Sequence, residues 1–177
     1  MNNVNTANKI TLFRVLLIPV FLIVLYIDFP FHDLAALGIF ILACLSDFLD
    51  GYIARHHNQV TDFGKFMDPI ADKVLVIAAM IIFVSWQRMP AWILVVVIAR
   101  ELGVSALRLI AVDNGRVIAA GWSGKVKTAS TMVCICLILA LNLPTLDLIC
   151  NGVILVTTAY SGLEYFIKNW DILSGKK

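Results

Sequence analysis

Charge is scarce in this chain. Asp, Glu, Lys and Arg make up 15% of its 177 residues, while apolar residues fill 60%. Ordinary soluble domains carry about 25% charged and about 45–50% apolar residues. The shortage excludes a conventional soluble domain, and a mean hydropathy of +0.90 points to an integral membrane protein. A net charge of +2 is too small to suggest nucleic acid as a partner. Cysteine is equally sparse. Cys44, Cys134, Cys136 and Cys150 all lie in apolar segments and form no CxxC pair. They read as small buried hydrophobes rather than a disulfide framework or a zinc site. No small-x-small cleavage pattern follows the first apolar run, which holds Arg14 and Pro19, so that run is expected to be a retained span. The length suits one domain, residues 1–177.

What is abundant is apolar sequence in runs of bilayer length. A spanning helix needs about 20 mostly apolar residues. Six segments qualify, at about 10–28, 34–56, 62–86, 91–112, 126–143 and 148–167. The breaks are Asp28 to Asp33, His56 to Asp62, Trp86 to Pro90, Asp113 to Lys125, and Pro144, which is expected to end the fifth span. A polar tail follows Lys168. The fold class read from this pattern is all-α, a six-helix membrane bundle.

The distribution of charge sets the orientation, because Lys and Arg mark the cytoplasmic side. Lys9 and Arg14 lie at the start. Arg55, Lys65 and Lys73 surround the second connection. Arg100, Arg108, Arg116, Lys125 and Lys127 belong to the fourth, and Lys168, Lys176 and Lys177 follow the last span. The odd-numbered connections contribute only Arg88. Both termini are therefore expected in the cytoplasm.

Against this background, four carboxylates within 26 residues stand out: Asp47, Asp50, Asp68 and Asp72. An Asp deep in a spanning helix costs roughly 2.5–3.5 kcal/mol, less near the interface. The pairs are spaced i, i+3 and i, i+4, so on helices each shares one face. Clustered carboxylates repel one another, and two divalent cations would cancel their charge. With oxygen donors and no Cys or His in place to join, the cation is a hard one: Mg2+, Mn2+ or Ca2+.

Local readings compete at each position. Asp68–Pro69 has the form of an N-cap with Pro at the first helical residue. Thr61–Asp62 has the form of a helix start too, which leaves Pro69 as a kink, and Asp50–Gly51 has the form of a turn. Gly51 and Ala54 fall on the same helical face as Asp47, and Gly64 lies four residues before Asp68. Such small residues serve either close ligand approach or helix packing.

These residues resemble the CDP-alcohol phosphotransferase family, whose signature is D-x2-D-G-x2-A-R-x8-G-x3-D-x3-D. Asp47, Asp50, Gly51, Ala54, Arg55, Gly64, Asp68 and Asp72 occupy all eight fixed positions. Asn8 to Arg14, Asp68 to Lys73, Ile98 to Glu101 and Gly124 to Thr128 resemble the branch that makes phosphatidylglycerophosphate.

The resemblance implies a six-helix homodimeric enzyme of the cytoplasmic (inner) membrane, its active site facing the cytoplasm. It would take CDP-diacylglycerol and sn-glycerol 3-phosphate and release CMP. It further implies that Asp47, Asp50 and Asp68 hold two cations, Mg2+ or Mn2+. Asp72 would be the general base, with a possible second role as a metal ligand. Gly51, Ala54 and Gly64 would admit the CDP-lipid, and Arg55 would meet phosphate.

The acceptor brings its own phosphate and needs cations. Arg100, Arg108, Lys125 and Lys127 are the candidates, with Arg14, Lys65 and Lys73 behind them. Arg100–Glu101 is an ion pair within an apolar helix, which reads as functional or as a structural pair between helices. Lys125 and Lys127 have the alternative reading of positive-inside markers. Gly121 to Thr128 fails as a P-loop, since Ala119 stands where the early Gly is required. His32, His56 and His57 read as interfacial residues, and Trp86, Trp92, Trp122 and Trp170 as interfacial anchors. Three rivals remain: another acceptor (serine, an inositol phosphate or phosphatidylglycerol), a cation transporter, and a membrane scaffold. The transporter lacks counterpart acids deep in spans five and six, and the scaffold leaves the carboxylates unexplained.

Overall fold

A computed structural model describes residues 6–27, 29–56, 62–119 and 121–173, with the side chains of 6–11, 47–56, 62–66, 68, 69 and 173 outside the description. The described residues form helices and turns, with no strand among them. The order is α1 (Thr6–Tyr26), α2 (His32–His56), α3 (Asp62–Ser85), α4 (Ala91–Asp113), α5 (Trp122–Ala140), α6 (Pro144–Lys168) and the short α7 (Trp170–Leu173). The chain divides into two compact units, Met1–Ile82 and Phe83–Lys177.

In the first unit α1 and α2 pack along each other as a helical hairpin. Phe21 and Phe40 meet at the seam with ring centroids 5.9 Å apart. The buried stripe of α1 runs Arg14, Ile18, Phe21, Leu25, and that of α2 runs Ala36, Phe40, Ala43. Alternating steps of four and three residues keep each stripe on one helical face. Small alanines on α2 allow close approach to the bulkier side chains of α1. On α3 the buried positions Ala71, Leu75, Ala78, Ala79 and Ile82 share one face, and Met80 and Phe83 widen the burial around the later turns of the helix.

The second unit begins at Phe83, in the last turn of α3. The Gln87 and Arg88 N–H groups donate to the carbonyls of Val84 and Phe83, at 3.0 and 2.9 Å. Gln87 takes a left-handed conformation with φ 59°. This paired closure terminates a helix and reverses the chain. The same device ends α4, where Gly115 (φ 71°) and Arg116 donate to Val112 and Ala111. Here glycine adopts the left-handed state without the steric penalty Gln87 bears.

α6 packs against both α4 and α5. A Cβ on Gly103 would come within 3.0 Å of the Phe166 ring, so glycine sets how closely α4 and α6 approach. The interior is polar in places and the exterior greasy. Lys127, Thr131, Asp147, Asn151, Thr158 and Ser161 are buried, while Val95, Leu102, Leu109, Val156 and Leu163 are exposed. Soluble domains show the opposite preference, and lipid tails suit this arrangement. Among the described residues, two helices, α5 and α6, are long and apolar enough to cross a bilayer. α4 carries Arg100, Glu101 and Arg108 along its length.

Several boundaries differ from expectation. Pro144 opens α6 instead of closing the fifth span, because its fixed φ and missing N–H suit a first helical turn. α5 starts at Trp122, after an extended Gly121, so Trp122 to Lys125 are helical rather than connecting. The tail contains α7, where a wholly polar end was expected. Its Ile172 packs beside Val104, Leu107 and Tyr165.

Candidate active site

Both halves of the signature lie on uninterrupted helix. α2 continues through Asp47, Asp50, Gly51, Ala54 and Arg55 to His56. The turn reading of Asp50–Gly51 is thereby removed. α3 starts at Asp62, so Gly64, Asp68 and Asp72 are all within it. Asp68 is therefore not the cap of α3, and Pro69 lies inside the helix, as the Thr61–Asp62 start implied. The side chains of Asp47, Asp50, Gly51, Ala54, Arg55, Gly64, Lys65 and Asp68 lie outside the described residues. Asp72 is partly buried.

Among the described residues, α2 is buried at Ala36, Phe40 and Ala43, and α3 at Ala71 and Leu75 close to Asp72. Arg14 is fully buried on α1, seven residues or about two helical turns from Phe21.

The cations expected to meet the acceptor's phosphate separate into two groups. Arg100 and Lys127 come together. Arg100 Nη1 donates to Glu101 Oε1 at 2.8 Å, and Lys127 Nζ donates to the same oxygen at 2.7 Å. Arg100 Nη2 donates to Ser161 Oγ at 2.7 Å. Three helices thus meet through one carboxylate, one guanidinium, one ammonium and one hydroxyl. The side chains of Arg100, Glu101 and Lys127 are only 11%, 14% and 6% exposed. Charges buried this deeply must be paired. Glycines make the room: a Cβ on Gly162 would lie 3.2 Å from Arg100 Cγ, and one on Gly124 3.4 Å from Arg100 Nη2.

Arg108 and Lys125 stand apart from this cluster. Eight residues along α4, about 12 Å of helix, separate Arg108 from Arg100. Arg108 Nε donates to the Tyr165 hydroxyl at 2.9 Å, with its guanidinium 5.5 Å from that ring's centroid. Lys125, two residues from Lys127 and so around the far side of α5, is exposed. Lys73 is partly buried on α3. Ser161, Gly162 and Tyr165 were not singled out from sequence. Small residues inside an apolar span were the available signal for the first two.

The remaining sequence candidates are peripheral. None of the four cysteines forms a disulfide, and Cys134 and Cys150 are buried. His32 opens α2, its Nδ1 3.2 Å from Asp33 Oδ1. Trp92, Trp122 and Trp170 are exposed near helix ends.

A family model described as CDP-alcohol phosphatidyltransferase matches residues 4–163. A Bacillus subtilis protein named CDP-diacylglycerol--glycerol-3-phosphate 3-phosphatidyltransferase is 42% identical over 188 residues, covering 96% of this chain and 97% of the relative. An Escherichia coli protein of the same name is 43% identical over 136 residues, 73% of each chain. A probable phosphatidylglycerophosphate synthase of Mycobacterium tuberculosis is 39% identical over 167 residues, covering 91% of this chain and 79% of the relative. The family match takes in all eight signature positions and reaches into both compact units, and the chain belongs to the CDP-alcohol phosphatidyltransferase family.

Proposed function

We propose that this protein transfers the phosphatidyl group of CDP-diacylglycerol to a hydroxyl of sn-glycerol 3-phosphate, forming phosphatidylglycerophosphate and CMP. The observation that carries the reading is the complete signature set on two unbroken helices. The names borne by relatives at 42% and 43% identity support it.

The donor set is four carboxylates, all hard oxygen, which suits Mg2+ or Mn2+. Asp47, Asp50 and Asp68 would hold two such ions, with Asp72 close enough in sequence to touch the second. When bound, the ions supply charge neutralisation at the pyrophosphate and at the departing CMP. Asp72 takes the proton from the acceptor hydroxyl as its oxygen bonds to the phosphatidyl phosphorus and the bond to CMP breaks. Gly51, Ala54 and Gly64 leave space for the cytidine, and Arg55 meets phosphate. Arg100 and Lys127 bind the acceptor's phosphate, with Arg108 and Lys125 drawing it in from the cytoplasmic ends of α4 and α5. Phosphoryl transfer depends mainly on such positioning and charge stabilisation.

The whole chain, 1–177, acts as one catalytic domain with six spanning helices, both termini cytoplasmic, in the inner membrane and as a homodimer.

The test is CMP release by the purified full-length protein given CDP-diacylglycerol and separate acceptors: sn-glycerol 3-phosphate, serine, inositol phosphate and phosphatidylglycerol. Release is expected with sn-glycerol 3-phosphate, lost on chelation and restored by Mg2+ or Mn2+. Release with serine alone would overturn the acceptor, and none with any acceptor would overturn the enzyme. Asp72→Asn is expected to slow turnover by about 10²–10⁴-fold while CDP-lipid binding persists. Loss of that binding would make Asp72 chiefly a metal ligand.

A further inference from the structure

We infer that Glu101 is a positioning residue: one of its carboxylate oxygens fixes Arg100 and Lys127 as a pair set to receive the acceptor's phosphate. The inference rests on the acceptor being a phosphate monoester.

The geometry shows a cluster held in place but not used up. Glu101 Oε1 takes one N–H from each cation. Among the described residues, the Lys127 ammonium spends one of its three N–H groups, on Glu101, although the residue is only 5% exposed. Arg100 Nε is buried and faces no acceptor among the described residues. Buried donors of this kind are satisfied in native structures by protein, water or ligand. Arginine and lysine donors that converge with spare N–H groups suit the several acceptor oxygens of a phosphate.

The cluster is also braced from the other side. Ser161 holds the far end of the guanidinium, and the missing side chains of Gly162 and Gly124 form the slot in which Arg100 lies. Arg100 therefore has little freedom to swing towards a ligand, and the ligand must come to it. Rigid, prepaired donors bind more tightly because less order is lost on binding.

Charge and position predict opposite outcomes, which makes the inference testable. The cluster carries two positive charges and one negative. Glu101→Gln would raise its net charge from +1 to +2, and by charge alone would tighten phosphate binding. If Glu101 acts by position, the variant loosens both cations and binding weakens. Steady-state kinetics of the full-length protein should show the KM for sn-glycerol 3-phosphate rising about tenfold or more. The KM for CDP-diacylglycerol should stay unchanged, and kcat should fall less than the acceptor KM rises. An unchanged or lower acceptor KM overturns the inference, as does an equal rise in both KM values.

Gly162→Ala keeps every charge and pushes on Arg100 through a single methyl. It should give the same split with a smaller rise, and it decides the matter if Glu101→Gln does not fold. An unchanged acceptor KM in Gly162→Ala would then overturn the inference. The unaltered protein separates the two levels of failure. If it uses serine and not sn-glycerol 3-phosphate, the acceptor reading falls and takes this inference with it. If it uses sn-glycerol 3-phosphate but the variants bind it normally, only the positioning role falls.

Discussion

Arg88 is the basic residue that the charge pattern leaves on the far side of the membrane, and the structure surrounds it with partners. Its Nε and Nη2 donate to the two oxygens of Asp147 at 2.8 and 2.9 Å, and Nη2 also reaches the carbonyls of Ile138 and Leu141. Asn151 donates to the Arg88 carbonyl at 2.8 Å. The pair is about nine-tenths buried. Arg88→Ala would strand the Asp147 carboxylate and two carbonyls, a loss of about 3–5 kcal/mol. It should lower the thermal midpoint of the purified protein and leave both KM values unchanged. Replacing the pair together, Arg88→Met with Asp147→Leu, should cost less than Arg88→Ala alone. A double variant no better than the single would contradict this account. Sequence alone hinted at the Arg100–Glu101 pair, because charge inside an apolar run is conspicuous. It did not reveal the partners Ser161 and Asp147, which lie about sixty residues away in sequence and come close only through the packing of α6.

Six long helices were legible because apolar runs and breakers alternate so plainly. Helix ends were less so, because the rules at either end of a helix differ. Pro144 reads equally as a stop for one helix and a start for the next, and only the extended Leu143 before it decides. α7 escaped notice because four residues hold too few hydrogen bonds to form a helix unaided. Contacts outside it supply what is missing. Ile172 sits on the Val104–Leu107–Tyr165 cluster, and Asp171 pairs with Arg116 beyond the end of α4. The hydrogen bond from Arg116, more than its charge, holds the Asp171 carboxyl below its ordinary range. A carboxylate with a lowered folded pKa contributes above its unfolded value, about 3.9, and loses that contribution as pH falls through the folded value. Amide protection in α7, corrected for intrinsic exchange, should therefore hold from neutral pH down to that range and decline below it. Asp171→Asn should remove the dependence, and a profile unaltered by the substitution would assign the docking to Ile172 alone.

At the scale of the molecule, composition already implied a membrane protein, and the second unit shows why. Polar side chains such as Lys127, Asp147 and Asn151 are buried in it, while leucines and valines such as Val95, Leu102, Leu109 and Val156 are exposed. The signature itself was legible from spacing, since i, i+3 and i, i+4 carboxylates need only continuous helix, and α2 and α3 provide it. The cations proposed for the acceptor's phosphate were legible one by one but not as a group. Spacing along the chain places Lys125 and Lys127 together, while the helix turns them to different sides. The proposed orientation has its own test. A reporter active only outside the cytoplasm should be active when inserted between Gln87 and Arg88 and silent when fused after Lys177. The reverse would invert the topology and place the signature on the wrong face for a cytoplasmic acceptor.

The Arg88 clamp also bears on how the protein is made. Arg88 leaves the ribosome before α4, and the carboxylate that completes its pairing follows 59 residues later. At roughly 5–20 residues per second that gap is about 3–12 seconds. During that time α4 and α5 are synthesised while the guanidinium lacks its carboxylate, and only the arrival of α6 completes the pairing. The clamp then closes one end of the second unit before the contacts of Ser161, Tyr165 and α7, later in the chain, can form. Nascent chains stalled before Asp147 should be the ones that membrane quality control can still withdraw.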